Sequence, residues 1–595
     1  MFSKDSVVNE ILSGFAEKLK PSISGDGKPA SEIFEIVLRE VKSLIQVNEN
    51  YKNELMSIGI ALSAERNHEA LLEMIVEKAM YFTGADGGTL YIMGEDERNL
   101  SFKIIRTKSL GFLMGGTKGG EVPFPPVQLY KEDESRNENN VSAYVALTGK
   151  TVNITDVYEV EGFDFQGTRA FDEKTGYRSK SMLVTAMRNH ENEIIGVLQL
   201  LNATNENGVV IAFSPRYQRL IESLASQAAI AITNSSLIRG LRHLLDSFIQ
   251  VIADAIDAKS AYTGGHIRRV ADLTLLIARG LCNSEDERWR NFVLTPDEEN
   301  ELRIAAWMHD IGKITTPEHV VDKSTKLEKI YDRLHTIEAR FEILKQQAEN
   351  DYLKRKCEIL STGVRNTEGV LSKLREELDG KLKEFSDAIE LIRVANLGGE
   401  FMADEKIAKL KEIASIEIVI GHKRIPLLNE DETMNLSIRR GTLTEEERLI
   451  INNHAVMTGK MLGGLPWPKK LTNVAKYAAE HHEKLDGTGY PNGLKAEQLS
   501  RKSRILAIAD IFEALTAKDR PYRPGKKLSE CVKIIGFMVK DNHLDKDIVE
   551  FFITSGLFVE YAKNELTADQ LDSFTYNGVT YDPFSRPSDE AGKDN

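Results

Sequence analysis

The residues of this sequence that are best suited to chemistry are histidines and aspartates in short motifs far apart along the chain. The segment HHEKLDGTGYP begins with two adjacent histidines, contains Glu483 and Asp486, and ends in a loop rich in glycine. Imidazole and carboxylate donors at a helix end, followed directly by such a loop, predict a metal site beneath a substrate-binding loop. Taken alone, the segment fits an ordinary helix end and turn equally well.

Four other motifs carry the same types of donor. AAWMHDIGKI has an adjacent histidine and aspartate after an apolar helical approach, with Lys313 one helical turn beyond the histidine. Single donors lie in TGGHIRRVA, INNHAVMTG and SRILAIADIFEALTA. Buried imidazoles and carboxylates need partners, so donors embedded in apolar sequence are difficult to explain as solvated surface.

The donor types indicate which metals and which reaction suit such a site. Neutral imidazoles with carboxylates favour Fe, Mn or Zn over Mg or Ca, which prefer oxygen ligands. Asp310, directly after His309, is placed to bridge two ions while the imidazole binds one of them. Two ions about 3.5 to 4 Å apart can activate a shared water and stabilise the charge on a phosphoryl group, which predicts phosphodiester hydrolysis.

Three cations complete the predicted site. Lys313 would contact a non-bridging phosphate oxygen or protonate the leaving oxygen. The alternative for this lysine is a helix residue with its charge in solvent. Arg520 and Arg523 lie in the basic loop DRPYRPGKK, and their planar guanidinium groups suit a phosphate or the Hoogsteen edge of guanine.

The order of these motifs resembles the HD-GYP branch of the HD superfamily of metal-dependent phosphohydrolases. The resemblance covers roughly 245–322 and 440–560 and includes GTGYP intact. It implies hydrolysis of cyclic di-GMP, a bacterial second messenger, to linear pGpG, GMP or both, at a centre of two or three metal ions that is often iron. The metal ligands that it implies are His266, His309, Asp310, His454, His481, His482 and Asp510.

The resemblance also assigns roles around the metal centre. Asp310 and Lys313 match catalytic positions, and Lys313, Arg520 and Arg523 match positions that contact the substrate. The substrate-binding GYP loop that it implies consists of Gly487, Gly489, Tyr490 and Pro491.

Two departures from the family pattern bear on this site. Members with three metals supply an additional glutamate near the first histidine, whereas the position four residues before His266 is Tyr262. We therefore expect two divalent ions, iron or manganese, rather than three. The second departure is that DRPYR lies one residue further from Asp510 than the family pattern places it.

Other interpretations come from different classes of protein. The same metals could cleave a hybrid cyclic dinucleotide such as 3',3'-cyclic GMP-AMP, and nothing in the sequence separates the two substrates. A catalytically weak HD-GYP module could bind signalling partners instead. A long helical insertion could also make the protein an assembly scaffold.

Composition limits the class further. A chain of 595 residues with 41% apolar and 28% charged residues predicts several globular domains. A net charge of −14 argues against a general nucleic-acid binder. Only three cysteines, and no apolar run that suits a membrane span or a signal peptide, predict a cytoplasmic protein.

The pattern of helices and strands predicts a multidomain protein that begins with an α+β sensor domain. The HD-GYP resemblance implies that an all-α HD-GYP domain follows, and this domain would carry a long helical-hairpin insertion. The sensor resembles a GAF domain through ITDVYEVEGFDF, FDEKTGYRSKSML and the strand ending at Asn202. Cyclic-nucleotide GAF domains continue with signature residues where this chain has Ala203, Tyr217 and Gln218. A different small ligand, or none, is therefore expected there.

Two stretches predict how these parts are joined. Apolar residues at helical spacing from Leu237 to Ile252 predict one nearly continuous helix between sensor and catalytic region. Similar spacing from Leu327 to Ala348 and from Leu371 to Ile392 predicts an antiparallel helical hairpin. We expect a homodimer, with the N-terminal segment as a dimerisation element or a packing extension. The expected boundaries are an N-terminal helical segment at 1–55, the GAF domain at 56–235, a linker helix at 236–258, the HD-GYP domain at 259–325 and 439–565, the insertion at 326–438 and a C-terminal tail at 566–595.

Overall fold

The computed structural model describes residues 67–259, 265–361, 367–518 and 525–583, with a few positions between 39 and 65. The N-terminal helical segment predicted at 1–55 therefore lies almost wholly outside the described residues. The chain divides into two compact units, Met1–Leu244 and Leu245–Asn595. Among the helices that the structure describes, none combines the length and apolar character needed to cross a bilayer.

The first unit contains an antiparallel sheet and flanking helices. Its helices are α1 (His68–Thr83), α2 (Val141–Thr148), α3 (Gln166–Thr175) and the first part of α4 (Pro215–Lys259). Its strands are β1 (Ala85–Met93), β2 (Asn99–Thr107), β3 (Phe112–Met114), β4 (Val127–Gln128), β5 (Val152–Ile154), β6 (Met182–Arg188), β7 (Ile194–Thr204) and β8 (Val210–Ile211). The spatial order is β3-β2-β1-β7-β6-β5, with β4 beside β2 and β8 beside β7.

The two faces of this sheet pack against different helices because side chains alternate along a strand. Leu198 of β7 is buried in one core with Ile75 of α1 and Leu224 of α4. Its neighbour Val197 belongs to a second core, which includes Val145 of α2. The predicted α+β sensor domain is confirmed.

Helix α4 is a single helix from Pro215 to Lys259, as the uninterrupted helical pattern predicted. Its first half contributes Leu224 and Ala228 to the core of the first unit. Its last turns contribute Ile249, Ala253 and Ile256 to a core of the second unit.

The second unit is almost wholly helical. Its helices are α5 (His266–Cys282), α6 (Pro296–Met308), α7 (Glu318–Val321), α8 (Leu334–Ser361), α9 (Thr367–Asn396), α10 (Asp404–Ala414), α11 (Glu430–Leu436), α12 (Glu445–Gly463), α13 (Val474–Ala479), α14 (Arg501–Thr516), α15 (Leu528–Lys540), α16 (Lys546–Thr554) and α17 (Leu557–Glu565). Short 3₁₀ segments lie at Glu287–Trp289, Ile311–Thr315 and Ala496–Gln498. Helix α5 contacts α6 and α14, helix α13 contacts the same two helices, and α12 contacts α13. The predicted helical HD region is confirmed.

The insertion contains the predicted helical hairpin. Helices α8 and α9 pack against each other, and two ion pairs, Arg355 with Glu377 and Arg393 with Glu338, show that they run antiparallel. The turn between them, at 362–366, lies outside the described residues.

Two features of the insertion differ from the sequence prediction. The hairpin was predicted from Leu327 onward, but α8 begins at Leu334, whose amide is bound at 2.9 Å by the carboxylate of Asp332. Ile330, which the predicted helix would pack, is 96% exposed. The insertion also contains two short antiparallel strands, β9 (Glu417–Ile420) and β10 (Lys423–Pro426), so it is not all helical.

The predicted tail is partly structured. Strands β11 (Phe574–Tyr576) and β12 (Val579–Tyr581) form a hairpin, and Phe574 is buried in the core of the second unit. The remainder, 584–595, lies outside the described residues, and the expected domain boundaries stay predictions.

Candidate metal centre

Five segments of the second unit bring the predicted ligands together. His266 is the first residue of α5, His309 is the C-cap of α6 and is followed by Asp310, and His454 lies within α12. His481 and His482 follow α13, and Asp510 lies in α14. All seven side chains fall into three overlapping groups in which the donor atoms lie within 4.8 Å of one another. Their assignment as metal ligands stays a prediction.

Asp310 lies at the middle of this cluster. Its Oδ1 is 3.4 Å from Nε2 of His454 and 3.9 Å from Nε2 of His481. Its Oδ2 is 3.4 Å from Nε2 of His309 and 3.5 Å from Nε2 of His266. Because the two carboxylate oxygens face different histidines, Asp310 would be able to bridge two ions.

Asp510 faces the same two histidines as one side of that bridge. Its Oδ1 is 3.5 Å from Nε2 of His266 and 3.7 Å from Nε2 of His309. Metal bonds to nitrogen and oxygen are about 2.0 to 2.2 Å long, so two donors of one ion lie about 3 to 3.5 Å apart. The observed separations are close to this range and too long for good hydrogen bonds.

The backbone orients three of the imidazoles in the same way. Nδ1 of His309 contacts the carbonyl oxygen of Ala306 at 2.7 Å. Nδ1 of His454 and of His481 each contacts the carbonyl three residues earlier, at 2.6 Å. A donating Nδ1–H leaves Nε2 with its lone pair free to bind a metal ion.

A carboxylate orients the fourth imidazole. Nδ1 of His266 lies 2.5 Å from Oε2 of Glu513. Glu513 is fully buried, and its other oxygen, Oε1, accepts a hydrogen bond from Nε of Arg269 at 2.7 Å. Glu513 lies three residues after Asp510 on α14, so one helix supplies both a predicted ligand and the group that orients another.

Several buried atoms of the cluster lack a hydrogen-bond partner among the described residues. They are Nε2 of His309, His454 and His481 and Oδ1 of Asp310. Unpaired polar atoms of this kind are costly in a protein interior unless another group satisfies them. The donor types and these unpaired atoms fit divalent transition-metal ions.

Neighbouring charges in the cluster shift one another's pKa values. Burial alone would lower the pKa of His309, but the carboxylates of Asp310 and Asp510 outweigh it and raise this pKa to about 10. Burial opposes ionisation of Asp310, yet Lys313 and the histidines hold its pKa well below its usual range. Burial lowers the pKa of His482 to about 4. The two aspartates therefore require positive charge beside them.

Close backbone packing holds His309 and Asp310 against α12. A Cβ at Gly312 would lie 1.9 Å from the carbonyl oxygen of His454, so only glycine fits there. The hydroxyl of Thr458 accepts the amide of Gly312 at 3.0 Å and donates to the carbonyl of His309 at 2.9 Å. The segment Ile311–Thr315, here called the HD turn, is thereby held beside α12.

Lys313 points toward the cluster rather than into solvent alone. Its Nζ lies 2.5 Å from Oδ2 of Asp310, and its side chain is 28% exposed. A cation with one side on the aspartate and one side toward solvent can contact an entering phosphate.

The predicted GYP loop lies beside His482. The ring of Tyr490 is 4.8 Å from the imidazole of His482, and the amide of Tyr490 donates to the carbonyl of His482 at 3.3 Å. A Cβ at Gly489 would lie 2.3 Å from the amide nitrogen of Lys484, which requires glycine. Gly487 has a φ of 82°, a left-handed conformation that also favours glycine.

Glu483 holds this loop instead of belonging to a metal group. Its two carboxylate oxygens accept the amides of Asn492 at 2.6 Å and Leu494 at 2.9 Å. Pro491 lies directly before Asn492, the first of these two residues. Asp486 is exposed and binds the amide and hydroxyl of Thr488.

Arg520 and Arg523 lie in 519–524, and Tyr262 lies in 260–264, both outside the described residues. Sequence reasoning also missed Glu513, although a glutamate one turn after a predicted ligand on an apolar helix was a signal for it.

Family comparisons identify this helical region as an HD domain. An HD-domain profile matches residues 263–397, and a second HD-domain profile matches residues 394–548. A GAF-domain profile matches residues 67–232. The chain carries a GAF domain followed by an HD-domain region.

Curated relatives are similar over part of their length. A 3'3'-cGAMP-specific phosphodiesterase of Vibrio cholerae is 38% identical over 116 residues, which is 19% of this chain and 25% of that protein. A cyclic di-GMP phosphodiesterase of Pseudomonas aeruginosa is 26% identical over 196 residues, which is 33% of this chain and 44% of that protein. The chain thus spans less than half the length of each of these two relatives. Their names are consistent with the resemblance to HD-GYP phosphodiesterases.

A solved GAF domain from an Acinetobacter phosphoenolpyruvate-protein phosphotransferase is also similar. The match has a TM-score of 0.24 and 14% identity, and it covers 32% of this chain and 97% of that one.

Proposed function

We propose that this protein is a metal-dependent phosphodiesterase that hydrolyses cyclic di-GMP to linear pGpG, GMP or both, under regulation by its GAF domain. The observation that carries the proposal is the convergence of seven histidine and aspartate side chains on one buried cluster. Three imidazole Nε2 atoms there have no described hydrogen-bond partner. The cyclic di-GMP phosphodiesterase among the relatives supports the choice of substrate.

The proposed cofactor is a pair of divalent ions, iron or manganese, held by the seven predicted ligands. When bound, these ions supply Lewis acidity toward a phosphodiester and acidify water. Asp310 presents one oxygen to each half of the cluster. Glu513 and the backbone carbonyls hold the imidazoles with Nε2 facing inward.

The remaining work falls to cations and to the loop. Lys313 stabilises negative charge on the phosphoryl oxygens or protonates the leaving oxygen, because its Nζ lies beside Asp310 and its side chain is partly exposed. The GYP loop is held by Glu483, and its Tyr490 lies beside the imidazole of His482. Arg520 and Arg523 are proposed to bind the substrate phosphate or guanine.

A hybrid cyclic dinucleotide, 3',3'-cyclic GMP-AMP, is the second candidate substrate. The observation that favours it is the similarity to a 3'3'-cGAMP-specific phosphodiesterase. Both substrates present the same phosphodiester to the cluster, so the choice between them depends on contacts to the bases.

We also propose a homodimer that acts in the cytoplasm. Five apolar residues of α4 follow a 4-3-4-3 spacing and are between 52% and 65% exposed; this exposed strip consists of Leu237, Leu241, Leu244, Phe248 and Val251. Such a spacing matches the seam of two parallel helices. Three free cysteines, all within the described residues, suit a reducing compartment. The GAF domain is proposed to bind a small ligand whose identity is open.

A turnover screen on anaerobically purified protein tests the function. The wild type is expected to contain about two divalent ions per chain and to hydrolyse cyclic di-GMP. His309→Ala and Asp310→Ala are each expected to lose metal and to lower kcat/KM by more than the roughly 100-fold that loss of an outer partner costs. Arg523→Ala is expected mainly to raise KM.

The matched control is His335→Ala, which removes an imidazole that is 81% exposed on α8. Unchanged turnover in the double variant of His309 and Asp310 would show that the site is assigned wrongly. A preference for 3',3'-cyclic GMP-AMP would favour the second substrate. Removal of 326–436 that leaves hydrolysis intact but abolishes complexes would favour the scaffold.

A further inference from the structure

The last residue of α4 contacts the HD turn directly. Nζ of Lys259 donates to the carbonyl oxygens of Lys313 at 3.0 Å, Ile314 at 2.5 Å and Thr316 at 2.7 Å. The carbonyl of Lys313 also accepts the amide of Thr316 at 3.0 Å, and an ammonium group with three hydrogens can donate to all three carbonyls at the end of this turn. One side chain of α4 therefore completes the end of the HD turn.

This contact lies one step from the reacting groups. Lys313 is held by Lys259 through its backbone and binds Asp310 through its side chain at 2.5 Å. The amide of Lys313 also donates to the carbonyl of Asp310 at 2.9 Å. Charged donors form stronger hydrogen bonds than neutral ones, so loss of the Lys259 ammonium frees the end of the turn.

The same end of α4 also contacts the segment of the first histidine. Oδ2 of Asp257 accepts the amide of Gly265 at 2.9 Å. Gly265 is the N-cap of α5 and has no side chain to cap that helix, and the next residue is His266. The end of α4 is thus bonded to two of the five segments that carry predicted ligands.

We propose that Lys259 is a positioning residue that holds the HD turn, so that Asp310 and Lys313 keep their places in the centre. The inference rests on the proposed phosphodiesterase function. According to this inference, a displacement of α4 is transmitted to the predicted metal centre through the three contacts of Lys259.

The test compares full-length variants. Lys259→Met keeps most of the side-chain length and removes the donor, and we expect kcat to fall about 10-fold to 100-fold with a much smaller change in KM. Lys259→Arg restores donors and is expected to recover most of kcat. Arg242→Met, which removes an exposed cation from the same helix, is the matched control and is expected to behave as wild type.

Hydrogen–deuterium exchange gives a readout that does not depend on turnover. Amides of 311–316 are expected to exchange faster in Lys259→Met than in the wild type or in Arg242→Met, with metal content unchanged. A wild type without cyclic dinucleotide turnover would refute the proposed function, and the exchange rates would still decide the role of Lys259. Wild-type exchange and wild-type kcat in Lys259→Met would overturn the inference.

Discussion

The imidazoles of the cluster are oriented by two kinds of partner. His309, His454 and His481 use backbone carbonyls of their own segments, so their orientation follows from local backbone geometry. His266 instead depends on Glu513, a side chain from α14. A single substitution at Glu513 can therefore change the orientation of the His266 imidazole.

Glu513→Gln tests that dependence. Glutamine keeps an acceptor for Nδ1 of His266 but removes the negative charge that strengthens this bond, so we expect metal affinity to fall about 10-fold. Competition with a chelator measures it. Glu301→Gln is the matched control, because Glu301 is equally buried but binds the amide of Asn473 instead of a histidine. Equal affinities in both variants would contradict the role of Glu513.

At this scale the sequence predicted the donors but not their supports. Histidines and aspartates in apolar motifs can be recognised from the sequence as candidate site residues, because such groups are rarely buried without a partner. Glu483 was predicted as a possible metal-binding side chain, whereas it binds two loop amides. This role depends on the loop after Pro491 folding back so that its amides reach Glu483. The spacing of side chains along the sequence does not predict such a contact.

Among the elements, the insertion is anchored by buried lysines at its entry. Nζ of Lys323 binds Glu447 of α12 at 2.7 Å. Nζ of Lys326, which is 1% exposed, donates to the carbonyls of Leu436 at 3.1 Å and Ile438 at 2.7 Å. Lys326 thereby joins the entry of the insertion to its exit.

Lys326 makes stability depend on pH. Burial lowers the pKa of Lys326 from 10.5 to about 8. Between these values the unfolded chain binds more protons than the folded chain, so this residue makes the free energy of unfolding rise with pH. Relative to Lys326→Met, the wild type is expected to gain about 1 to 2 kcal/mol between pH 7.5 and pH 9.5.

Urea unfolding at the two pH values measures this difference. Lys373→Met, at an exposed lysine of the same insertion, is the control and is expected to follow the wild type. A constant difference between the wild type and Lys326→Met at both pH values would rule out the buried ammonium as its cause.

The insertion also marks the limit of pattern-based prediction. Heptad-like spacing predicted the two helices, but it assigned Leu327 and Ile330 to the first of them. Leu327 is buried in the core of the insertion without belonging to a helix, and the helix begins only after Asp332. Two buried lysines had no sequence signal, because lysine is almost never fully buried.

At the scale of the whole molecule, the exposed strip of α4 predicts association. The opposite face of the last turns is buried through Ile249, Ala253 and Ile256, which leaves the strip uncovered within the described residues. A second copy of the same helix covers such a strip with identical residues, as a two-fold interface requires.

Leu241→Asp combined with Phe248→Asp tests the dimer. Two charges on the strip are expected to weaken association at least about 100-fold, because central apolar residues dominate such interfaces. Sedimentation velocity at micromolar concentration measures the change, and Arg242→Asp, which lies off the strip, is the control. A wild type that sediments as a monomer would refute the proposed homodimer.

Because of the insertion, the predicted metal ligands are synthesised in two groups that are separated in time. His266, His309 and Asp310 are synthesised before the insertion, and His454 and the remaining donors after it. At about 5 to 20 residues per second, several seconds of translation separate the two groups. The insertion has an apolar core of its own, including Ile337 and Ile392, which can form on the ribosome during that interval. If the proposed ions are bound by both groups, their binding follows synthesis of the insertion in each chain.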